Sequence, residues 1–518
     1  MFKLHKLQII KNVSSSWLML ATDVVAGLFL SPYILHHLGD TAFGLWVLIF
    51  SITGYYGLFD FGIRSSVLRY VSKFLATHDR EGLNKVINTS LFSYVCVGAF
   101  TLLLTLGIST YIDTLFRISP EFHSTARWLL LMVGTAVALG FPLGITGSVL
   151  EGLQRFDLLN ATGIGATLVR TALIVVALQH GRGLLTVAGI TVALPMIASL
   201  VRGGIVLRLC PLTLGWRYVD RTTFKQMAGY SGITFMIIVA GRLKFKTDEI
   251  IIGSMMSAAA ITYFNVGARI VDYAGEVVVG LAQIFVPMSS HSEATGNTEG
   301  LRRIFVVGNR FCALAIFPIC ATLVILGKSI IEVWVGQKYV AQSYPVLVIM
   351  ILATTLMWAQ GASTRVLFGI GKHGTLAVVT LIEGISNVIL SVLLVRPYGI
   401  VGDALGTAIP LFCSMIFFLP GHLCRRLGVR MSTYLREAYL LPAVLCIPLV
   451  LAMLLMKAWF VPHTYTQLAV HFLAAGLVYG TGLALAFAAN ELTRFSEPPE
   501  TKIRLDIAPV AVTVDKAS

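Results

Sequence analysis

From residue 13 almost to residue 489 the chain is a succession of apolar runs, each roughly 20 residues long and so able to cross a hydrocarbon core of about 30 Å. Within the runs apolar residues are continuous rather than alternating at every second position, which predicts helices and argues against barrel strands. The pattern predicts about fourteen spans, the first six over roughly 13 to 35, 43 to 64, 88 to 110, 124 to 146, 159 to 179 and 184 to 206. The next six cover roughly 228 to 257, 260 to 288, 305 to 326, 344 to 366, 375 to 395 and 403 to 422, and a final pair covers roughly 439 to 461 and 467 to 489. Short polar loops separate them and leave no room for a soluble domain. One stretch violates the pattern: GRLKFKTDEIII at 241–252 places five ionisable residues inside the seventh predicted span.

Composition agrees with a polytopic membrane protein. The 518 residues are 56% hydrophobic and 12% charged, with a mean hydropathy of +0.83, far from the values of soluble domains. The formal charge of +14 raises the question of nucleic acid, but its distribution answers otherwise. With the N-terminus inside, Lys3, Lys6, Lys11, Arg64, Arg69, Lys73, Arg80, Lys85, Arg208, Arg217, Arg221, Lys225 and the bases at 302–303 and 425–436 all fall on the cytoplasmic face. The other face holds few. This bias reports topology, not a polyanionic partner. MFKLHKLQIIKN before the first run resembles a signal peptide without a cleavage site and reads as an uncleaved first span. Seven cysteines without paired spacing suggest neither disulfides nor metal, and no cofactor is expected. The polar tail from about residue 490 is expected to be disordered.

Two segments recur at nearly one offset. ATHDREGLNK at 76–85 matches ATGNTEGLRR at 294–303, and VLEGLQR at 149–155 matches VLFGIGK at 366–372. Six predicted spans separate each copy from its partner, so the halves share one orientation and the repeat is parallel. The expected architecture is all-α: an N-terminal six-helix lobe (1–227), a C-terminal six-helix lobe (228–422) around a central cavity, two additional helices (423–489) and a tail (490–518). The repeat also places GRLKFKTDEI inside span seven, because treating it as a loop would give the copies opposite orientations. In-span prolines such as Pro32, Pro142, Pro195, Pro318 and Pro410 read as packing and bends.

Charges at the bilayer centre cost about 2.5 to 3.5 kcal/mol each on insertion scales, so the group in span seven must face a hydrated interior. On a continuous helix Arg242, Lys246 and Glu249 share one face and Lys244 with Asp248 forms an i,i+4 pair. Three cations against two acids leave positive charge for an anion such as a substrate phosphate. Other deep charges are Asp23, Arg170, Glu383 and, on one face of span eight, Arg269, Asp272 and Glu276. YYGLFDFGIR adds Asp60 and Arg64 beside rings suited to sugar faces or to headgroups. A purely structural role stays open for several, Glu383 among them: Asp23 with Arg170, or Lys244 with Asp248, also read as ion pairs that hold the bundle.

FKTDEIIIGSMMSAAAITYFNVGARIVDYAGEVVVGLAQIFVPMSSHSEATG resembles the seventh and eighth spans of polysaccharide exporters, and YILHHLGDTAFGLWVLIFSITGYYGLFDFGIRSSVLRYVSK resembles their first two. The chain is thus similar to the lipid-linked oligosaccharide flippases of the multidrug/oligosaccharidyl-lipid/polysaccharide exporter superfamily, over spans one to twelve. The resemblance implies a bacterial inner-membrane transporter, not an enzyme, that moves an undecaprenyl-pyrophosphate-linked glycan to the periplasmic leaflet by alternating access. It implies substrate contacts at Arg242, Lys244, Lys246 and Arg170, to which the reading of the residues adds Arg64 and Arg269. Asp23, Asp60, Asp248, Glu249, Asp272, Glu276 and Glu383 are candidates for ion coupling or ion pairs. Expected partners are the lipid-linked glycan and membrane lipids, with a glycan polymerase or assembly proteins as further candidates; nucleic acid is not expected, and a monomer is. The competing readings are a cation-coupled drug or metabolite exporter of the same fold, which would want surplus carboxylates, and a membrane glycan polymerase, which lacks here a DxD motif or a donor-binding domain.

Overall fold

The computed structural model describes residues 6–210, 212–371 and 373–495. The outer parts of both termini, including Lys3 and the tail from residue 496, lie outside the described residues.

The first half contains α1 (Lys6–Leu38), α2 (Asp40–Gly54), α3 (Ile63–Ala76), α4 (Arg80–Leu115), α5 (His123–Gly152), α6 (Phe156–Gln179) and α7 (Leu184–Leu209). The second contains α8 (Arg221–Phe245), α9 (Asp248–Met255), α10 (Ala258–Ala282), α11 (Phe285–Ala294), α12 (Thr298–Val335), α13 (Val340–Ala359), α14 (Gly361–Gly369) and α15 (His373–Cys413). After these come α16 (Leu419–Leu427), α17 (Met431–Leu435), α18 (Leu441–Trp459) and α19 (Tyr465–Ala488). Among the described residues 12 helices are long and apolar enough to cross a membrane. The difference from the expected number has two causes. Gly399, at φ 59° and ψ −140°, folds α15 into two arms that sequence reading had separated as spans eleven and twelve, and the seventh span is broken into α8 and α9 by the charged stretch.

Three expected elements change shape. Span two ends as a helix at Gly54 and continues as a 3-10 turn, Tyr55–Asp60, so Arg64 belongs to the separate helix α3. Span seven is not the continuous helix expected over 228–257, because Lys246 leaves helical geometry at φ −135° and α9 restarts at Asp248. The order of charges explains the restart. Arg242 and Lys244 lie in the last turn of α8, where free carbonyls favour cations, and Asp248 and Glu249 occupy the first turn of α9, where free N–H groups favour anions. The third is the link between spans eleven and twelve, which join as the two arms of α15 directly at the non-helical Gly399 with no loop between them.

The repeated stretches have one local structure. Asp79 and Asn297 each cap a long helix, accepting from Gly82 N–H at 2.8 Å and Gly300 N–H at 2.7 Å. The preceding helices end on left-handed residues at His78 (φ 55°) and Gly296 (φ 66°), and those before Gln154 (φ 58°) and Gly371 (φ 66°) end alike.

In the first half α5 packs on α4 and α7, and α6 on α1 and α7; in the second, α8 lies along α15 and α13 joins α10 to α12. The halves meet mainly where α2 crosses α10. Gly44 lets that crossing close, since a Cβ there would overlap the Ala258 carbonyl. At the end of the crossing Asp40 is held by the second half: its carboxylate accepts from Lys338 at 3.0 and 3.1 Å, from Tyr339 at 2.5 Å and from Tyr263 at 3.2 Å. Thr262 donates to its carbonyl at 2.7 Å. Gly44→Val is expected to destabilise the protein by about 1 to 3 kcal/mol through overpacking. Thermal unfolding in detergent should show the loss, whereas Gly107→Ala, a helical site with open space around it, should leave stability unchanged or slightly raised.

Candidate functional site

The break between α8 and α9 sits against the first half. Tyr55, first residue of the 3-10 turn, has its hydroxyl 2.5 Å from that of Thr247, and the two protons of this pair serve that bond together with the Arg242 carbonyl, 3.2 Å from Tyr55, and the Leu243 carbonyl, 2.9 Å from Thr247. The Arg242 carbonyl also accepts from the Lys246 N–H at 3.0 Å, while the Leu243 carbonyl at the end of the ladder is answered by Thr247. Its glycine neighbours admit the arginine: a Cβ at Gly57 would lie 3.3 Å from an Arg242 guanidinium nitrogen.

Beside the break lies a cavity of about 380 Å³, lined from the first half by α1, α2, α6 and α7 and from the second by α8, α9 and α10. Its wall brings together Arg170, Arg242, Lys246 and Arg269, all candidates from the sequence, with Glu249 as the acid among them. Arg269 donates to the Tyr273 hydroxyl at 3.3 Å and lies 5.1 Å from that ring's centre. One Glu249 carboxylate oxygen is buried without a hydrogen-bond partner. The remaining lining is apolar or aromatic, with Phe43, Trp46 and Phe50 one helical face apart on α2 and the last two rings 4.7 Å apart. A positive, partly aromatic cavity between two helical halves can hold a multivalent anion carrying a sugar ring.

The other candidates lie elsewhere. Lys244 turns away from the cavity and pairs with Glu383 of α15, so the expected Lys244–Asp248 i,i+4 pair does not form; the break at Lys246 removes the continuous helix it needs. Ser414 also donates to Glu383. Arg64 pairs with Glu151 at 2.5 Å and is largely exposed. Asp60 accepts from Tyr94. Asp23 accepts from Thr167 at 3.0 Å and makes no ion pair with Arg170. Asp272 and Glu276 continue the α10 face below Arg269 and keep accessible surface. The rings of YYGLFDFGIR are spent on packing: Tyr56 is buried, Phe59 meets Phe100 edge-on, and Phe61 meets Phe235.

A second polar group forms on the far side of the break. Thr407 donates to both Asp248 carboxylate oxygens, 3.1 Å from each, and Asn387 reaches Asp248 at 3.5 Å while donating to the Lys244 carbonyl at 2.9 Å. Ser391 joins Asn387 (3.0 Å) to the Asp403 carbonyl (3.3 Å). Asp403 is fully buried and neither of its carboxylate oxygens has a hydrogen-bond partner. Sequence reading missed Asp403, Asn387 and Thr407. Asp403 stood at the predicted edge of a span, where an acid needs no explanation. The available signal was spacing: Asn387 with Ser391, and Asp403 with Thr407, are i,i+4 polar pairs in apolar helices.

The sequence profile of a family described as "Polysaccharide biosynthesis protein" matches residues 38–343. A protein of Shigella flexneri named "Putative O-antigen transporter" is 22% identical over 381 residues, covering 72% of this chain and 87% of that protein. The uncharacterized membrane protein EpsK of Bacillus subtilis is 22% identical over 444 residues, covering 82% of this chain and 85% of its own. Among solved structures, the lipid II flippase MurJ in an inward closed conformation superposes with a TM-score of 0.71 at 16% identity, over 94% of this chain and 100% of that one. An inward-facing multidrug resistance MATE family transporter of the MOP superfamily gives a TM-score of 0.61 at 15% identity, over 80% of this chain and 95% of that one. The likeness to these solved structures shows the fold, that of a multi-pass helical membrane protein.

Lys244→Met alone should destabilise the protein by about 3 to 5 kcal/mol, since it leaves Glu383 buried and uncompensated. The double change Lys244→Met with Glu383→Leu should recover most of that loss in thermal unfolding; no recovery would count against the uncompensated carboxylate as its cause.

Proposed function

Because the chain belongs to the polysaccharide biosynthesis protein family, we propose that it flips an undecaprenyl-pyrophosphate-linked oligosaccharide from the cytoplasmic to the periplasmic leaflet by alternating access. The observation that carries this reading is the cavity in which Arg170, Arg242, Lys246 and Arg269 stand against Glu249. Four cations drawn from both halves need an anion with several acceptor oxygens, and a pyrophosphate supplies them. A cationic drug would meet repulsion there, which disfavours the reading as a drug exporter. Phe43, Trp46 and Phe50 offer ring faces to the first sugar, and the isoprenyl chain stays in the bilayer.

In this cycle the Asp40 clasp closes the outer end, and its release from Lys338, Tyr339 and Tyr263 lets the halves rock about the α2–α10 crossing. Each negative charge carried outward across an inside-negative membrane gains about 2.3 kcal/mol per 100 mV. Asp248 and Asp403 supply a second drive. Two buried carboxylates need a proton or a cation to neutralise them, and their elements, α9 and the second arm of α15, meet at the break that carries Lys246 into the cavity. Loading a cation there and an anion on the other side of one backbone break couples the two through the position of α9.

In liposomes, Arg242→Ala and Lys246→Ala at normal expression should slow flipping of the lipid-linked repeat by about 10- to 100-fold, the worth of a charge-assisted hydrogen bond; wild-type rates would sink the role of the cavity. With Asp248→Asn or Asp403→Asn, stimulation of flipping by an imposed sodium or proton gradient should vanish while the unstimulated rate persists. A full response to either gradient would remove the carboxylate pair from the cycle.

A further inference from the structure

A second opening faces the other side of α8. It is an apolar groove of about 800 Å³ between α4 and α8, with Phe92, Cys96 and Val97 on one wall and Phe224, Met227 and Phe235 on the other. Arg221 stands at one end and Phe61 at the other, where its ring meets that of Phe235 at 5.2 Å. Arg221 and Phe235 are 14 positions apart on one helix, or about 21 Å at 1.5 Å per residue. That length suits several isoprene units laid along the helix.

Three features select an occupant. First, the walls are apolar and open to the side, with Phe92 and Phe224 each at least 40% exposed, as expected of a surface meeting lipid chains. Secondly, the mouth is charged. Asp220 commits its carboxylate to capping α8, accepting from the Thr223 N–H and hydroxyl at 2.7 Å each, and these bonds hold its carboxyl below the ordinary carboxylate range. The exposed Arg221 makes no ion pair among the described residues and is left for an outside anion. Trp216, 79% exposed and edge-on to Phe92 at 5.6 Å, marks the level of the headgroups. Thirdly, the groove and the cationic cavity are joined by one short turn: Gly54 lines the cavity and Phe61 the groove, at the two ends of the 3-10 turn whose Tyr55 bonds the Arg242 carbonyl. The positive-inside bias puts the Arg221 end on the cytoplasmic side.

We propose that this groove is the loading site of the lipid substrate, where a polyisoprenyl pyrophosphate waits in the cytoplasmic leaflet with its pyrophosphate on Arg221 and its chain along α4 and α8. The inference rests on the flippase reading above and adds to it a place for the chain and a route for the head. The 3-10 turn Tyr55–Asp60 separates the two positions along the chain, and Arg242 lies 21 positions, or about 31 Å of helix, beyond Arg221, so the head leaves Arg221 and passes the far end of the groove to reach the cavity.

Cys96, an exposed free thiol in the groove wall, provides the readout. The full chain in phosphatidylcholine nanodiscs is alkylated with N-ethylmaleimide, and rates at Cys96 and at the exposed Cys413 are followed by peptide mass spectrometry. Undecaprenyl pyrophosphate should slow alkylation at Cys96 about tenfold and leave Cys413 unchanged, and Arg221→Ala should raise the half-protecting concentration about tenfold. Inorganic pyrophosphate should not protect, and undecaprenol should protect only weakly. An unchanged rate at Cys96 with undecaprenyl pyrophosphate, or equal protection by phosphatidylglycerol, would overturn the proposal. Cys96→Trp, which fills the groove, should slow flipping while leaving calorimetric binding of inorganic pyrophosphate at the cavity intact; normal flipping would also overturn it. Wild-type flipping without protection at Cys96 removes only the loading site, whereas absence of wild-type flipping removes the flippase reading itself.

Discussion

The organisation of this protein depends on one interruption, the loss of helical geometry between Phe245 and Asp248. A helix that stops inside a membrane exposes carbonyls at one end and N–H groups at the other, and neither is tolerated in hydrocarbon. Here both ends are answered locally. Basic residues occupy the last turn of α8 and acidic residues the first turn of α9, while Tyr55 and Thr247 bridge the gap through hydroxyls. The same groups that make the break affordable define the chemistry on either side of it. Arg242 and Lys246 face one cavity, Asp248 joins Asn387 and Thr407 on the opposite side, and Lys244 is anchored to Glu383.

This arrangement links packing to motion. α9 has only eight residues, Asp248–Met255, too short to cross a membrane, so it is positioned by what it touches: α2, α10 and α15. Its backbone also reaches the first half directly, where Arg117 N–H donates to the Gly253 carbonyl at 3.0 Å. A shift of the halves therefore cannot leave α9 in place. The bound state of either polar group is felt at the other through an element with few degrees of freedom, which is the physical content of coupling.

Much of the architecture was legible in the sequence because hydropathy and length decide where helices cross. The continuous runs located the helices, the two short repeats marked equivalent turns, and the cost of deep charge pointed to the residues that line the cavity. The break was not recognised, although basic-then-acidic order in RLKFKTDE is a helix end followed by a helix start. The sum of the charges points to a cavity, and their order marks the break. A straight helix groups Lys244 with Arg242 and Lys246, whereas its partner Glu383 lies 139 positions away, beyond any local pattern. Asp403 was passed over for the opposite reason. A lone acid at a span edge is unremarkable until Gly399 turns α15 back and buries it beside Asp248.

The repeated turns show what the two halves have preserved. Where the second half uses Gly296 and Gly371 for a left-handed residue, the first uses His78 and Gln154, side chains that hold this geometry at a cost of about 1 kcal/mol or more. Glycine would make the same turn cheaply. The first half keeps the shape without the residue best suited to it, because each turn fixes the angle at which the next helix returns and every contact downstream inherits that angle. Chain direction, not side-chain identity, is what the two halves have in common at these turns.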